Sequence, residues 1–291
     1  MANPNYSRRP NRKPVWLVLQ HVSTYLFLIV GVLIAIFPFY WMLSTSLMSL
    51  GDAQGTRLIP SEIHPENYID AWNEADFSQY MWNSTRITLL TLAGELTFST
   101  LAAYAFARIK FPGRDIIFTL LLSTMMIPAM VTIIPNFLTV TWLGRIGPIK
   151  WINNWPALTI PFMGSVFSIF LLRQFFAQVP DELFDAAQMD GAGHLRFLWN
   201  VVLPLSKAPM MVIIVLSFIG TWNALAWPML VTNSPAWRPI AVGLYSFIGE
   251  AGQMINLMMA GAFIAVIPIL ILYFFTQKQF TESIARSGLK G

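Results

Sequence analysis

Six long apolar stretches separated by short polar segments dominate the chain. No Asp, Glu, Lys or Arg occurs in residues 14–51, 116–144, 151–172, 208–237 or 251–277, and residues 87–107 are interrupted only by Glu95. A helix needs about 20 predominantly apolar residues to cross a bilayer, because its backbone polar groups must be paired within the segment where no water is present. These runs are too long for the core helices of a soluble domain and lack the alternation of barrel strands. The pattern predicts an all-α polytopic membrane protein with six transmembrane helices. Pro38, Pro128, Pro135, Pro161, Pro228 and Pro268 fall within the predicted spans, where they can kink a helix and free carbonyls.

Composition agrees with the pattern. Of 291 residues, 56% are apolar and 11% are charged, where a soluble chain carries about 25% charged residues; mean hydropathy is +0.58. Too few polar residues remain to cover a water-facing surface, which excludes a soluble enzyme. A net charge of +4 would suggest nucleic acid in a soluble chain, but the basic residues sit between the apolar runs, and no nucleic-acid partner is expected. Arg8, Arg9, Arg12 and Lys13, then Arg108, Lys110 and Arg114, then Arg173, Arg196 and Lys207, and finally Lys278, Arg286 and Lys290 mark one side of the membrane. By the positive-inside rule that side is cytoplasmic and holds both termini. The chain divides into a basic cytoplasmic tail (1–15), a six-helix membrane domain (16–277) and a cytoplasmic C-terminal tail (278–291). The membrane domain carries an external loop (49–82), long enough for a small folded cap, and a cytoplasmic hairpin (179–204). Trp41, Trp82, Trp142, Trp151, Trp155 and Trp227 lie near predicted interfaces, as anchoring rings do.

The hairpin breaks the rule of short connections. Asp181 and Glu182 follow Pro180 and suit a helix N-terminus; Gly191 and Gly193 then permit a turn, and a second run extends from Leu195 towards Pro204. Leu183, Ala187, Leu195, Leu198, Trp199 and Val202 are expected to share one apolar side, and the small Ala186 and Ala187 to let another backbone approach closely.

Asp185-Ala186-Ala187, Gly191 three residues beyond Gln188, and Leu203-Pro204 resemble, with intact spacing, the EAA motif of membrane subunits of binding-protein-dependent ABC importers. Asp185 stands where that family usually has Glu. Glu66-Asn67-Tyr68, Asn83-Ser84, Thr221-Trp222-Asn223 and the ending Gly288-Leu289-Lys290-Gly291 are similar to the carbohydrate-uptake branch, typified by maltose permease subunits. The resemblance implies a type I importer permease fold for a sugar or oligosaccharide. It further implies coupling of Asp185, Ala186, Ala187, Gly191, Leu203 and Pro204 to an ATPase. The implied partners are a second homologous permease, two ATP-binding cassette subunits, an extracytoplasmic sugar-binding protein and membrane lipid. The chain has no GxxxxGK[ST] loop, so ATP and Mg are expected on partner subunits, with no cofactor or metal bound here and no enzymatic activity.

Within the spans, Thr91, Glu95 and Ser99 form one polar stripe at helical spacing, read as packing against the partner permease in preference to lining the solute path. Trp222 and Asn223 offer a stacking face and an amide suited to a sugar. His21, His64 and His194 lie apart and make no metal-ligand spacing. An ion-gradient-driven transporter is the rival class, disfavoured by a single intramembrane carboxylate; a permease for another solute such as glycerol phosphate stays open.

Overall fold

A computed structural model describes residues 15–74, 76–249 and 252–288. Arg8, Arg9, Arg12 and Lys13 of the basic tail, and the final Leu289-Lys290-Gly291, lie outside the described residues. Among the described residues, five helices are long and apolar enough to cross a membrane, six when one bent pair counts as a single span.

The first span, Val15–Ser46, and the second, Phe77–Arg108, are continuous helices of 32 residues each. The third apolar run is not one helix: Arg114–Ser123 ends in a 3-10 turn at Thr124–Met126, and Ala129–Ile146 restarts after Pro128. Proline lacks the N–H that would carry the ladder through. The fourth span breaks likewise, between Trp155–Thr159, a 3-10 turn at Ile160–Phe162 containing Pro161, and Val166–Phe176, where Ser165 Oγ accepts from the Ser168 N–H at 3.2 Å. The fifth apolar run, 208–237, expected to hold one helix, is helical only to Trp222; a short helix Ala226–Val231 and a 3-10 turn Pro235–Trp237 follow. The sixth span, Ile255–Gly288, runs through Pro268. Among the described residues the only strand pairing is a short one, Ile248–Gly249 antiparallel to Gly252–Gln253.

Lipid tails are as apolar as leucine, so burial from water does not hold these spans together; close packing and hydrogen bonds do. The second span is the axis, packed most extensively on the fourth and then the fifth. Gly94 lets the fourth span approach closely, since a Cβ there would stand 2.4 Å from Met163 Cγ. At one end of the axis, Tyr104, Phe106, Phe118, Leu172, Phe176, Phe197, Val202 and Ile213 form a cluster joining four spans to the hairpin. At the other, Phe77, Tyr80, Trp222, Ile240, Phe247 and Leu257 form a second. Phe77 and Arg108 are about 46 Å apart along a helix rising 1.5 Å per residue, so the cap and the hairpin occupy opposite ends of the molecule.

The loop after the first span is folded. Asn67, buried, donates its amide to the Ser46 and Met48 carbonyls at 2.9 and 2.8 Å and accepts from Asn256 at 3.2 Å, tying the helix Asn67–Glu74 to the first and sixth spans. Both hydroxyl and N–H of Ser61 donate to Asp52, and His64 meets Glu66 at 2.6 Å. These bonds hold both carboxyls below their ordinary pKa: Asp52 mainly through Ser61, Glu66 through its own backbone amide and then the His64 ring.

Candidate functional site

The hairpin begins with Asp181–Met189, a nine-residue helix whose Asp181 and Glu182 sit where the dipole favours negative charge. It ends in a Schellman closure, with the Ala192 N–H donating to the Ala187 carbonyl at 2.8 Å and the Gly191 N–H to the Gln188 carbonyl at 2.9 Å. That closure needs a left-handed residue, and Gly191 has φ +74° with open space around it. Asp185 and Ala186 are exposed, as are Leu183 and Met189; only Phe184 and Ala187 turn inward.

The expected shared apolar side divides in two. Leu198 and Val202 are buried, but Leu195 and Trp199 are 72% and 73% exposed and Leu183 is also open. Phe184 and Phe197 do the packing instead: Phe184 stacks on His194 at 4.9 Å and meets Phe197 edge-on at 5.0 Å. A one-position shift in phase separates Leu183 from Phe184, and apolar periodicity alone does not fix it in so short a helix. The seat is polar as well. Arg108, at the end of the second span, donates to the Val179 carbonyl at 2.8 Å and pairs with Asp181 at 2.9 Å. Tyr104 Oη lies 3.0 Å from His194 Nδ1, and Arg173 donates to the Phe106 carbonyl at 3.2 Å. The sequence counted Arg108 only as a marker of orientation.

Leu203 and Pro204 lie apart from the exposed helix. They close the second arm, His194–Leu205, which passes through a π-helical stretch at Leu198–Val202 and then turns by 81° into the fifth span, Lys207–Trp222. The turn is at Ser206, which is buried. The six residues therefore fall into two groups: Asp185, Ala186, Ala187 and Gly191 on the projecting helix and its turn, Leu203 and Pro204 on the bend.

A cleft of about 380 Å³ opens between the second, fourth and fifth spans, part-way along the axis. Glu95 lines it, 6% exposed. Ser168 Oγ donates to Glu95 Oε1 at 2.6 Å, and Ser217 Oγ donates to Oε2. Thr91 and Ser99, the rest of the polar stripe, are buried within this chain, where the fourth and fifth spans cover the second. The stripe is thus an internal seam, not the contact with a second subunit expected from the sequence. Ser168 and Ser217 lie 73 and 122 residues from Glu95, and no local pattern announces them.

Trp222 is 2% exposed, stacks on Phe218 at 5.3 Å and donates Nε1–H to the Ala265 carbonyl of the sixth span at 3.0 Å. Its ring faces helix packing. Asn223 is exposed and donates to the Ile219 carbonyl at 3.0 Å, capping its own helix. Trp227, expected as an interfacial anchor, is buried, lines the cleft and donates to the Ala157 carbonyl at 2.8 Å. Above the cleft, Ser84 Oγ accepts from the Ile240 N–H at 2.7 Å, Asn83 donates to the Arg238 carbonyl at 2.8 Å, and Arg86 lies 3.4 Å over the Trp237 ring. Among the described residues no cluster of three or more His, Cys, Asp or Glu is placed to hold a metal.

Comparison with known proteins gives this geometry a context. Residues 96–283 match a family model described as "Binding-protein-dependent transport system inner membrane component". The chain is 34% identical to the sn-glycerol-3-phosphate transport system permease protein UgpE of Yersinia enterocolitica, over 91% of this chain and 96% of that protein. It is 30% identical to UgpE of Brucella abortus, over 95% and 98% of the two. Among solved structures it is similar to a chain of a bacterial ABC transporter involved in the import of the acidic polysaccharide alginate. The TM-score is 0.79 and identity 26%, over 95% of this chain and 99% of that one. A chain from an alginate ABC transporter in complex with an alginate pentasaccharide-bound periplasmic protein shares the fold, with TM-score 0.63 at 13% identity over 91% of this chain and 96% of that one.

Proposed function

Because this chain belongs to the family of inner membrane components of binding-protein-dependent transport systems, we propose that its exposed hairpin receives the thrust of a separate ATPase and its cleft lies on the path of a sugar-type solute. The chain is a multi-pass permease subunit of an ABC importer. The finer reading places both termini and the hairpin in the cytoplasm. A second, homologous permease would complete the path, two cassette subunits would hold ATP and Mg, and an extracytoplasmic binding protein would deliver the solute at the cap end. Asp185, Ala186, Ala187 and Gly191 are the proposed contact with the ATPase, and Leu203 and Pro204 the connection into the fifth span. The family's named relatives act on a glycerol phosphate and an acidic polysaccharide, which supports a polyhydroxylated solute for this chain.

One observation carries the coupling reading. The helix Asp181–Met189 has no buried residue, yet Arg108, Phe184 and the Schellman turn fix it on the body. A helix so firmly seated, and so little covered, is a rigid surface for something else. Ala186→Trp tests this cleanly, because Ala186 is exposed and the added ring leaves the chain's own packing alone; Ala187 packs inward and is the poorer choice. Gly191→Pro removes the left-handed turn outright, since proline is held near φ −65°. In vesicles reconstituted with all subunits, both variants are expected to insert normally and to lose most ATP-driven uptake. Undiminished uptake in Ala186→Trp would refute the assignment.

A further inference from the structure

The cleft itself carries information on which solutes it accepts. Glu95 is the one ionisable side chain among the described residues lining it. Each of its oxygens accepts a serine hydroxyl, from Ser168 and from Ser217. An ionised carboxylate is acceptor-only with about four lone-pair sites, so two sites remain to receive hydrogens from a solute. Neighbouring cations are engaged elsewhere. The Arg86 guanidinium donates to Asn83 Oδ1 and the Ala236 carbonyl and stacks on Trp237, while Arg238 lines a separate recess with Met229 and Tyr245. Also lining the cleft, Trp227 and Phe162 meet edge-to-face at 5.8 Å, and the Trp227 N–H is engaged by the Ala157 carbonyl. That wall is apolar, suited to the C–H face of a sugar ring.

We propose that Glu95 makes this cleft selective for neutral polyhydroxyl solutes, accepting hydrogen bonds from their hydroxyls and turning away phosphorylated or carboxylated ones. The proposal rests on the permease reading above and narrows its substrate. An anion entering here meets the Glu95 carboxyl oxygens with no cationic side chain among the described lining residues to offset them, in a poorly screened site. A polyamine finds only one carboxylate for its several charges. A neutral sugar finds acceptors on Glu95, hydroxyls on Ser165 and Thr221, and an aromatic wall, in a volume within the usual range of small-molecule sites.

The test exploits a chain that has no cysteine of its own. Gly220 lines the cleft and has open space where a Cβ would go, so Gly220→Cys places a thiol near Ser217 without a clash; Gly164→Cys is the second site, equally open. In the assembled transporter, reaction of this subunit is followed with a cationic reagent, methanethiosulfonate ethyltrimethylammonium, and an anionic one, methanethiosulfonate ethylsulfonate. Each rate is normalised to free cysteine. The cationic reagent is expected to react at least about tenfold faster, with the preference falling to within about twofold of unity in Glu95→Gln and persisting in Glu95→Asp. Equal rates in the Glu95 protein, or a thiol inert to both reagents at both sites, would overturn the proposal. ATP-driven uptake of labelled sn-glycerol 3-phosphate or spermidine by the intact transporter would overturn it too, while leaving the permease reading in place. Uptake that persists without ATP would instead remove the permease reading itself.

Discussion

Arg108 is the point where the hairpin meets the second span, and its removal gives a quantitative test of how the hairpin is held. Arg108→Met keeps the aliphatic length and deletes the guanidinium. Three interactions are lost, the weakest a cation–π contact with the Phe197 ring at 5.9 Å, near the outer limit for such contacts. The first is the hydrogen bond to the carbonyl of Val179, a residue 8% exposed; a buried carbonyl left without its donor costs about 1–3 kcal/mol. The second is the pair with Asp181, whose side chain is 88% exposed, so solvent screening leaves it worth no more than about 0.5 kcal/mol. The sum, about 2 kcal/mol, corresponds to a roughly 30-fold rise in the population of the undocked hairpin. Hydrogen exchange of the amides in residues 183–192 of the purified transporter reads that population directly. Asp181→Asn isolates the pair and is expected to raise exchange by no more than about threefold. The reasoning fails if Asp181→Asn matches Arg108→Met, which would make the exposed ion pair the real tether, or if neither variant alters exchange.

Three further outcomes follow from the geometry. Trp222→Phe, which keeps the stacking on Phe218 but loses the bond to Ala265, should lower thermal stability by about 1 kcal/mol and leave the apparent affinity for solute unchanged; a selective rise in KM would restore Trp222 to the solute path. Gly94→Ala forces Met163 aside and should cost about 1–3 kcal/mol, with Met163→Ala in the same chain recovering most of the loss in a thermal unfolding assay. Asp52 and Glu66 are held below their ordinary pKa, so their contribution to the cap is complete above the unfolded value near 4 and disappears as pH falls through the lowered folded values. Pulse exchange of residues 49–74 should therefore stay flat from neutral pH to about 4 and rise below it, and Asp52→Asn should blunt that rise.

What was legible in the sequence and what was not divide along a physical line. Charge-free length marks a membrane span because backbone pairing in lipid leaves no alternative, and the spacing from Asp185 to Gly191 marks the knuckle because a left-handed turn there demands glycine. Breaks were harder to see. Pro38, Pro135 and Pro268 sit inside unbroken helices, while Pro128 and Pro161 fall at interruptions, and the residue type alone does not tell the two cases apart. Partners distant in the chain were invisible: Ser168 and Ser217 read as ordinary serines until the fold brings them to Glu95. Trp222 and Trp227 changed places for the same reason. The ring that looked chemical supports the sixth span, and the ring that looked like an anchor walls the cleft.

The 81° elbow at Ser206 makes the hairpin arm and the fifth span two limbs of one bell-crank. Ser217 stands eleven residues beyond the pivot, about 16 Å along a helix. A swing of about 10° at the elbow would carry its hydroxyl about 3 Å, farther than a hydrogen bond can stretch, enough to strip one of the two serine hydroxyls from Glu95. If the proposed roles hold, the contact with the solute and the thrust of the ATPase would meet at a single oxygen of Glu95.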